Sequence, residues 1–579
     1  MKKIPYTSIV MLIFFLGSCK EIDFQSFDTD AFYCGKLNGK EVVVNFSKFA
    51  EGDVKGVCYV SDEALASARQ TFSMNVNARG IGQIWTDETD GEDVKLKLQS
   101  SGIRVSSDSY DCVLHKLSHP DYFQCSAISE DEICDYALVP DITYANAEGY
   151  WTSYPETAED FATIYMNRVG KLVHQSNQEL KMDIYCPVFP DTTQTRPLLM
   201  LIHGGAFYNG DKESEPIVEW SKAFAKRGYV VAAINYRLGF RPLKADIERA
   251  GFRAVQDAHA AMRYLVHNAE TYHINTDYIF VGGSSAGAIT ALNLAFMRDE
   301  NRPASTKGVI ERSESEQGFF SRIVQRGAEW LNLQDTFEKL GLTQDLGGVG
   351  AVNSSLCEDF QIKGVINMWG ALNDITMLEN SKQTDILSFH GTADRIVAYD
   401  YDYPFRDVFD EDDETTILGT LSKIMSFWED PLGGNNIPLN ELVFSKMYGS
   451  KCIDDNALNY GINSELHSVQ GGGHSLQVED NLELSDYFYT IQDTMSSFMH
   501  RECVPYPVRL EQSAKDGRVF ELLDATDVTD LYWKVEGGVI LDHDSGSVKV
   551  LFFGDAPKHS VIATGKYKNG LGFCLMKEI

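Results

Sequence analysis

Gly283-Ser284-Ser285-Ala286-Gly287 has the spacing of a nucleophile elbow, a sharp strand-to-helix turn that lifts one serine off the end of a sheet. The Gly-x-Ser-x-Gly spacing puts Ser285, not Ser284, at the apex. Small residues flank the apex because the turn strains the backbone and the following helix crowds it. A serine hydroxyl is a poor nucleophile at neutral pH. It needs a base to take its proton and an acid group to hold that base. Two further stretches supply these types. His474 stands in Gly471-Gly-Gly-His-Ser475, and Asp394 in His390-Gly-Thr-Ala-Asp394, each just beyond a strand-like run. His390 is the rival histidine; it precedes its turn and reads as a loop-shaping residue. Asp374 is the rival acid and ranks below Asp394. A fourth stretch, His203-Gly-Gly-Ala-Phe207, follows an apolar run ending at Ile202. Each stretch alone could be an ordinary turn, although the strand before the elbow and the helix after it already favour catalysis there. Four of them, each at the end of an apolar strand, favour catalysis.

Strands and helices must carry these loops to one place. Residues 197–202 are a continuous apolar run, as expected for a strand buried on both faces of a sheet, and 230–235 reads as another buried strand. Residues 278–281 read as the strand before the elbow and 288–297 as the helix after it. Helical patterns cover 221–229, closed by Gly228, and 252–265. Strands at 362–369, 385–390 and 465–469 alternate with helices near 451–458 and 486–499. This alternation predicts an α/β domain over 144–503, with a mostly parallel sheet covered on both faces. Residues 299–360 and 403–440 interrupt it and read as insertions, the usual place for lids and binding loops. The acidic run 407–414 lacks the ordered spacing of a calcium loop and reads as solvated. No cysteine and histidine cluster has zinc spacing, so neither a metal nor another cofactor is expected.

The flanks differ in character. A chain of 579 residues implies two to four domains. Residues 30–142 contain short strand-like runs separated by Gly, Asn, Asp and Ser, the pattern of a small β-rich domain. That region reads as a spacer first and a binding module second. Residues 505–579 again alternate between strands and turns. The formal net charge of −33 argues against nucleic-acid binding, which needs a basic footprint. Residues 1–19 combine Lys2 and Lys3, a short apolar run and Gly17-Ser18-Cys19, which read as a secretory signal too short to span a membrane. An exported chain can form disulfides, and some pairing among the five cysteines from Cys34 to Cys134 is expected, with connectivity open.

Residues 160–502 resemble the α/β-hydrolase superfamily in its serine esterase and lipase branch, whose chain order of serine, acid and histidine is the order of Ser285, Asp394 and His474. The resemblance implies that these three form a catalytic triad. His203-Gly-Gly-Ala resembles the His-Gly-Gly-Gly oxyanion loop of that branch, with Ala206 in place of the third glycine. It implies backbone donors at Gly205, Ala206 and Ala286, with His203 a loop hydrogen-bonder. Asn235-Tyr-Arg237, Asp257 and Tyr448-Gly-Ser450 resemble positions that are structural in the branch. Leu16-Gly-Ser-Cys19 resembles the lipobox of bacterial lipoproteins, implying lipidation of Cys19 and a cell-surface or outer-membrane location held by lipid alone. Trp533-Lys-Val-Glu-Gly-Gly538 resembles PKD-like β-sandwich modules. The implied substrates are small-molecule or polysaccharide-borne carboxylic esters. The His-Gly-Thr-Ala-Asp stretch is shared with prolyl-oligopeptidase-type peptidases and carbohydrate acyl esterases, so a serine peptidase stands as an alternative. A non-catalytic surface-binding lipoprotein on a hydrolase scaffold is the alternative from another class.

Overall fold

The runs 198–202 and 230–234 become the fully buried centre of an eight-stranded sheet. The computed structural model describes residues 31–50, 52–62, 65–86, 90–99, 102–109, 111–118, 127–149, 176–189, 194–240, 244–309, 342–356, 358–406, 444–479, 483–504, 507–526 and 528–579. The leader with Cys19, most of both insertions and the acidic run 407–414 lie outside these residues. The chain divides into two compact units, Ser126–Pro505 and Met1–Cys125 with Tyr506–Ile579.

In the first of these units the strands are β1 (Asp135–Gly149), β2 (Ser176–Val188), β3 (Arg196–Ile202), β4 (Val230–Ile234), β5 (Ile274–Ser284), β6 (Ile362–Met368), β7 (Asp385–Gly391) and β8 (Ser464–Val469). Their order across the sheet is 1-2-4-3-5-6-7-8. The β1–β2 and β2–β4 pairs are antiparallel and the rest are parallel. This is the α/β-hydrolase architecture expected from the sequence. The boundary read near residues 142–144 falls inside β1, so the sheet begins earlier than its sequence pattern suggested.

Parallel strands need crossover helices. Four serve here, α1 (Glu215–Lys226), α2 (Lys244–His267), α3 (Ala286–Phe296) and α4 (Ser450–Ala457), and α5 (Asp486–Cys503) follows the last strand. Pro216 opens α1, and Gly228, at φ 95°, follows its end. Trp220 of α1 stacks on Phe488 of α5 at 4.8 Å. Alanines make α2 and α3 thin enough to pack closely. Ala254, Ala258 and Ala261 share one core with Ala291, Leu292 and Ala295.

In the other unit, residues 32–116 form eight antiparallel strands paired in chain order. The first also pairs the last, Tyr33↔Lys116 and Cys34↔His115, so the strands close into a barrel. The C-terminal segment, which the sequence treats as a domain of its own, joins the same sheet through Ser547–Phe553, where Phe552 pairs Leu65. Phe520, Trp533, Val550 and Val561 fill the space between that sheet and the strands Thr529–Glu536, Ser560–Lys566 and Gly572–Glu578. Cys34, Cys58 and Cys112 carry free thiols, against the expected pairing in this region.

Candidate active site

Four loops leave the carboxyl ends of β3, β5, β7 and β8, the edge where open α/β sheets bind ligands. The elbow follows β5. Ser285 sits at φ 54° and ψ −119°, a strained conformation for a residue with a side chain. Its flanking glycines are required by space. A Cβ at Gly287 would stand 2.1 Å from the Ile202 oxygen, and one at Gly283 would stand 2.5 Å from the Gly287 carbonyl carbon. Ser284 is the last residue of β5 and is buried; Ser285 is the turn.

The loops after β7 and β8 are clipped together by backbone. Thr392 N–H donates to Val469 O at 2.9 Å, Ala393 N–H to Gly472 O at 2.9 Å, and Gly471 N–H to the Thr392 hydroxyl at 2.8 Å. The loops approach so closely that a Cβ at Gly391 would stand 2.3 Å from the Gly472 oxygen. This clip brings Asp394 to His474. His474 Nδ1 lies 2.7 Å from Asp394 Oδ2, and its Nε2 lies 2.9 Å from Ser285 Oγ. A carboxylate only accepts, so Nδ1 carries the proton and Nε2 is left to accept from the serine hydroxyl. Asp394 is buried, whereas His474 stays partly exposed.

Asp394 Oδ1 accepts from the N–H groups of Ile396 at 2.8 Å and Val397 at 3.1 Å. Burial pushes this carboxyl up, but the neighbouring imidazoles of His390 and His474 outweigh it and hold the carboxyl well below the usual carboxylate range. His390 therefore stands in the site, behind the acid rather than in front of the serine. Its Nε2 donates to Val397 O at 3.0 Å and lies 3.3 Å from Asp394 Oδ2. Its Nδ1 accepts from the Ser450 hydroxyl at 2.7 Å, which in turn accepts from Asn367 Nδ2 at 2.9 Å. Asp374 is elsewhere employed: its carboxylate caps the turn that follows, accepting from Thr376 N–H at 2.9 Å and from the Thr376 hydroxyl at 2.7 Å.

The glycine loop after β3 is held in a string of left-handed conformations, with φ 109° at Gly205, 53° at Ala206 and 59° at Phe207. A Cβ at Gly204 would touch Ser285 Cβ at 3.4 Å, so this loop lies against the elbow. Ala286 opens α3, where the first N–H groups of a helix have no partner within the helix. Tyr236 braces the loop, donating to His203 O at 3.0 Å while its ring stacks on His203 at 4.4 Å. His203 Nδ1 donates to Gly204 O at 2.7 Å. Burial pushes the His203 imidazole down to about 4, against the opposing pull of the Gly204 carbonyl.

Sequence reasoning set His390 aside and did not single out Asn367 or Trp369. Trp369, at φ 46°, packs edge-on to His474 with ring centres 6.2 Å apart. A polar Asn in the buried apolar run 364–369 was the available signal for Asn367.

Residues 182–407 match the family described as BD-FAE. The match spans Ser285 and Asp394 and ends before His474. The chain is also similar to the para-nitrobenzyl esterase of Bacillus subtilis, 29% identical over 177 residues, which are 30% of this chain and 34% of that protein. A probable isoprenylcysteine alpha-carbonyl methylesterase of Oryza sativa is 24% identical over 280 residues, covering 47% of this chain and 61% of that protein. The chain thus spans less than two thirds of the length of either relative. Among solved structures, esterase 2 of Thermogutta terrifontis in its apo form aligns with a TM-score of 0.31 at 16% identity, covering 56% of this chain and 90% of that one.

Proposed function

We propose that the chain is a carboxylic ester hydrolase that works through a Ser285–His474–Asp394 triad and a covalent acyl-enzyme. The observation that carries this reading is the unbroken line of hydrogen bonds, 2.9 Å from Ser285 to His474 and 2.7 Å from His474 to Asp394. Its chain order and the esterase names of the relatives support it. Ser285 Oγ attacks the ester carbonyl while His474 Nε2 takes its proton. Asp394 fixes the tautomer and stabilises the imidazolium that forms. The N–H groups of Gly205, Ala206 and Ala286 receive the oxyanion, each such donor being worth on the order of 3 kcal/mol of barrier. His474 then protonates the leaving alcohol, and water, deprotonated by the same imidazole, releases the acid. No metal or organic cofactor enters these steps.

In this reading the substrates are extracellular esters, acylated polysaccharides included. Cys19 anchors the chain to a membrane surface by lipid. The test is turnover of p-nitrophenyl acetate and butyrate by purified protein, together with labelling by a fluorophosphonate probe. Ser285→Ala abolishes both while leaving the circular dichroism spectrum unchanged. Undiminished hydrolysis by that variant overturns the assignment, and faster turnover of peptide p-nitroanilides than of esters replaces the esterase by a peptidase.

A further inference from the structure

The barrel of residues 32–116 is not filled along its whole length. Eight strands enclose an interior just wide enough to be packed with side chains or to hold one small ligand. Inward positions follow the period of two that strands impose. At the end where the chain enters at Phe32 and leaves at Lys116, the side chains of Tyr33, Phe46, Val54, Val76 and Ile103 are buried and close the interior. At the opposite end Leu37, Cys58, Phe72 and Cys112 are only half-buried, and a cavity of ≈ 70 Å³ runs between them. Val44, Met74 and Val105 form its deeper wall.

Two properties of this cavity restrict its guest. Its size is several times the roughly 10–15 Å³ that one water needs, yet a cavity with apolar walls stays dry and takes apolar guests. Protein interiors are otherwise close-packed, and atoms lining a void lack partners that a guest restores. The wall also carries no Asp, Glu, Lys, Arg or His among the described residues, which makes burying an ion there costly. Its polar side chains, apart from the two thiols, are Gln70 and Thr86, on adjacent strands.

We propose that the barrel is a binding site in its own right for a slender, uncharged aliphatic molecule, its chain lying between Val44, Met74 and Val105 and its hydroxyl or carbonyl end meeting Gln70 and Thr86. The inference does not rest on the ester-hydrolase reading, because its test is read inside the barrel. The full chain is labelled with ¹³C-methyl methionine, and the Met74 signal is assigned from Met74→Leu. Titration with 1-hexanol shifts that signal saturably, and prior phosphonylation of Ser285 leaves the shift unchanged. Hexanoate binds at least tenfold more weakly. Cys112→Phe fills the cavity and removes the shift; Cys58→Leu, a smaller change, weakens binding should the larger one disturb folding. A Met74 signal that does not move up to the solubility limit of hexanol overturns the proposal. So does a shift of wild-type size in both filling variants when their remaining methyl signals are native.

Discussion

Asp394 has more to do than face His474. It accepts three hydrogen bonds, from Ile396, Val397 and His474, and each needs an acceptor there, while His390 Nε2 lies 3.3 Å from its Oδ2. Asp394→Asn keeps the shape but supplies only one accepting atom. With Asn Oδ1 held by the Ile396 and Val397 N–H groups, its amide N–H₂ meets His474 Nδ1 and forces the wrong tautomer. We expect kcat to fall about 10³–10⁴-fold with KM little changed, as loss of a triad acid does elsewhere, measured on p-nitrophenyl acetate. His390 acts one step further back. Its ring is held by Ser450 on one nitrogen and Val397 O on the other. His390→Leu leaves the Ser450 hydroxyl and the Val397 carbonyl without this partner in a buried place, a cost of about 1–3 kcal/mol. Part of that cost appears as a looser Asp394, so kcat falls about tenfold while KM stays within twofold. Loss of thermal stability with unchanged kcat would instead mark His390 as purely structural.

Between residues and the whole chain, the elements decide whether the loops arrive in register. The buried pair of Arg237, in the loop after β4, and Asp257, on α2, ties these elements together with Arg237 Nη2 2.7 Å from Asp257 Oδ1 and the Arg237 backbone N–H 2.8 Å from Oδ2. Tyr236, next to this arginine, braces the glycine loop. Arg237→Met strands a buried carboxylate and is expected to cost about 3–5 kcal/mol, seen as a lower urea midpoint. Adding Asp257→Asn should recover part of that loss, because the two sites share one interaction. The site was legible in the sequence wherever backbone crowding demands glycine, as at Gly287 against Ile202 and Gly391 against Gly472. Helix α2 was legible only over 252–265, because half of the residues in its first two turns, Lys244–Gly251, are charged and the segment ends on a glycine. Asn367 was hidden because one amide scarcely disturbs an apolar strand pattern. Barrel closure was hidden for a different reason: the pairing of Tyr33 with Lys116 joins positions far apart in the chain and leaves no mark on local alternation.

For the whole molecule, acid tests how the buried histidine of the glycine loop couples to stability. The ordinary imidazole value is near ~6.5, and His203 is held down to about 4. Its Nδ1 is engaged with Gly204, and its buried Nε2 has no acceptor among the described residues, so a second proton would sit there unsatisfied. Between these two values the unfolded chain binds a proton that the folded chain refuses. Stability therefore falls as pH falls through that window. Asp394 acts lower down: its depressed carboxyl loses its contribution only below the ordinary value near ~3.8. A global effect opposes His203, because the formal charge of −33 shrinks as pH approaches the pI of about 4.7 and self-repulsion relaxes. Measuring one protein against pH would mix the two. His203→Asn separates them, since Asn can keep a donor to Gly204 O and cannot titrate. Between pH 7 and 4.5 the stability of the wild type should fall relative to the variant by about 2–3 kcal/mol, while both share the charge effect. Parallel stability curves for the two proteins, measured by urea unfolding of the full chain, would mean that His203 accepts its proton in the folded state and that the glycine loop yields to acid before the sheet does.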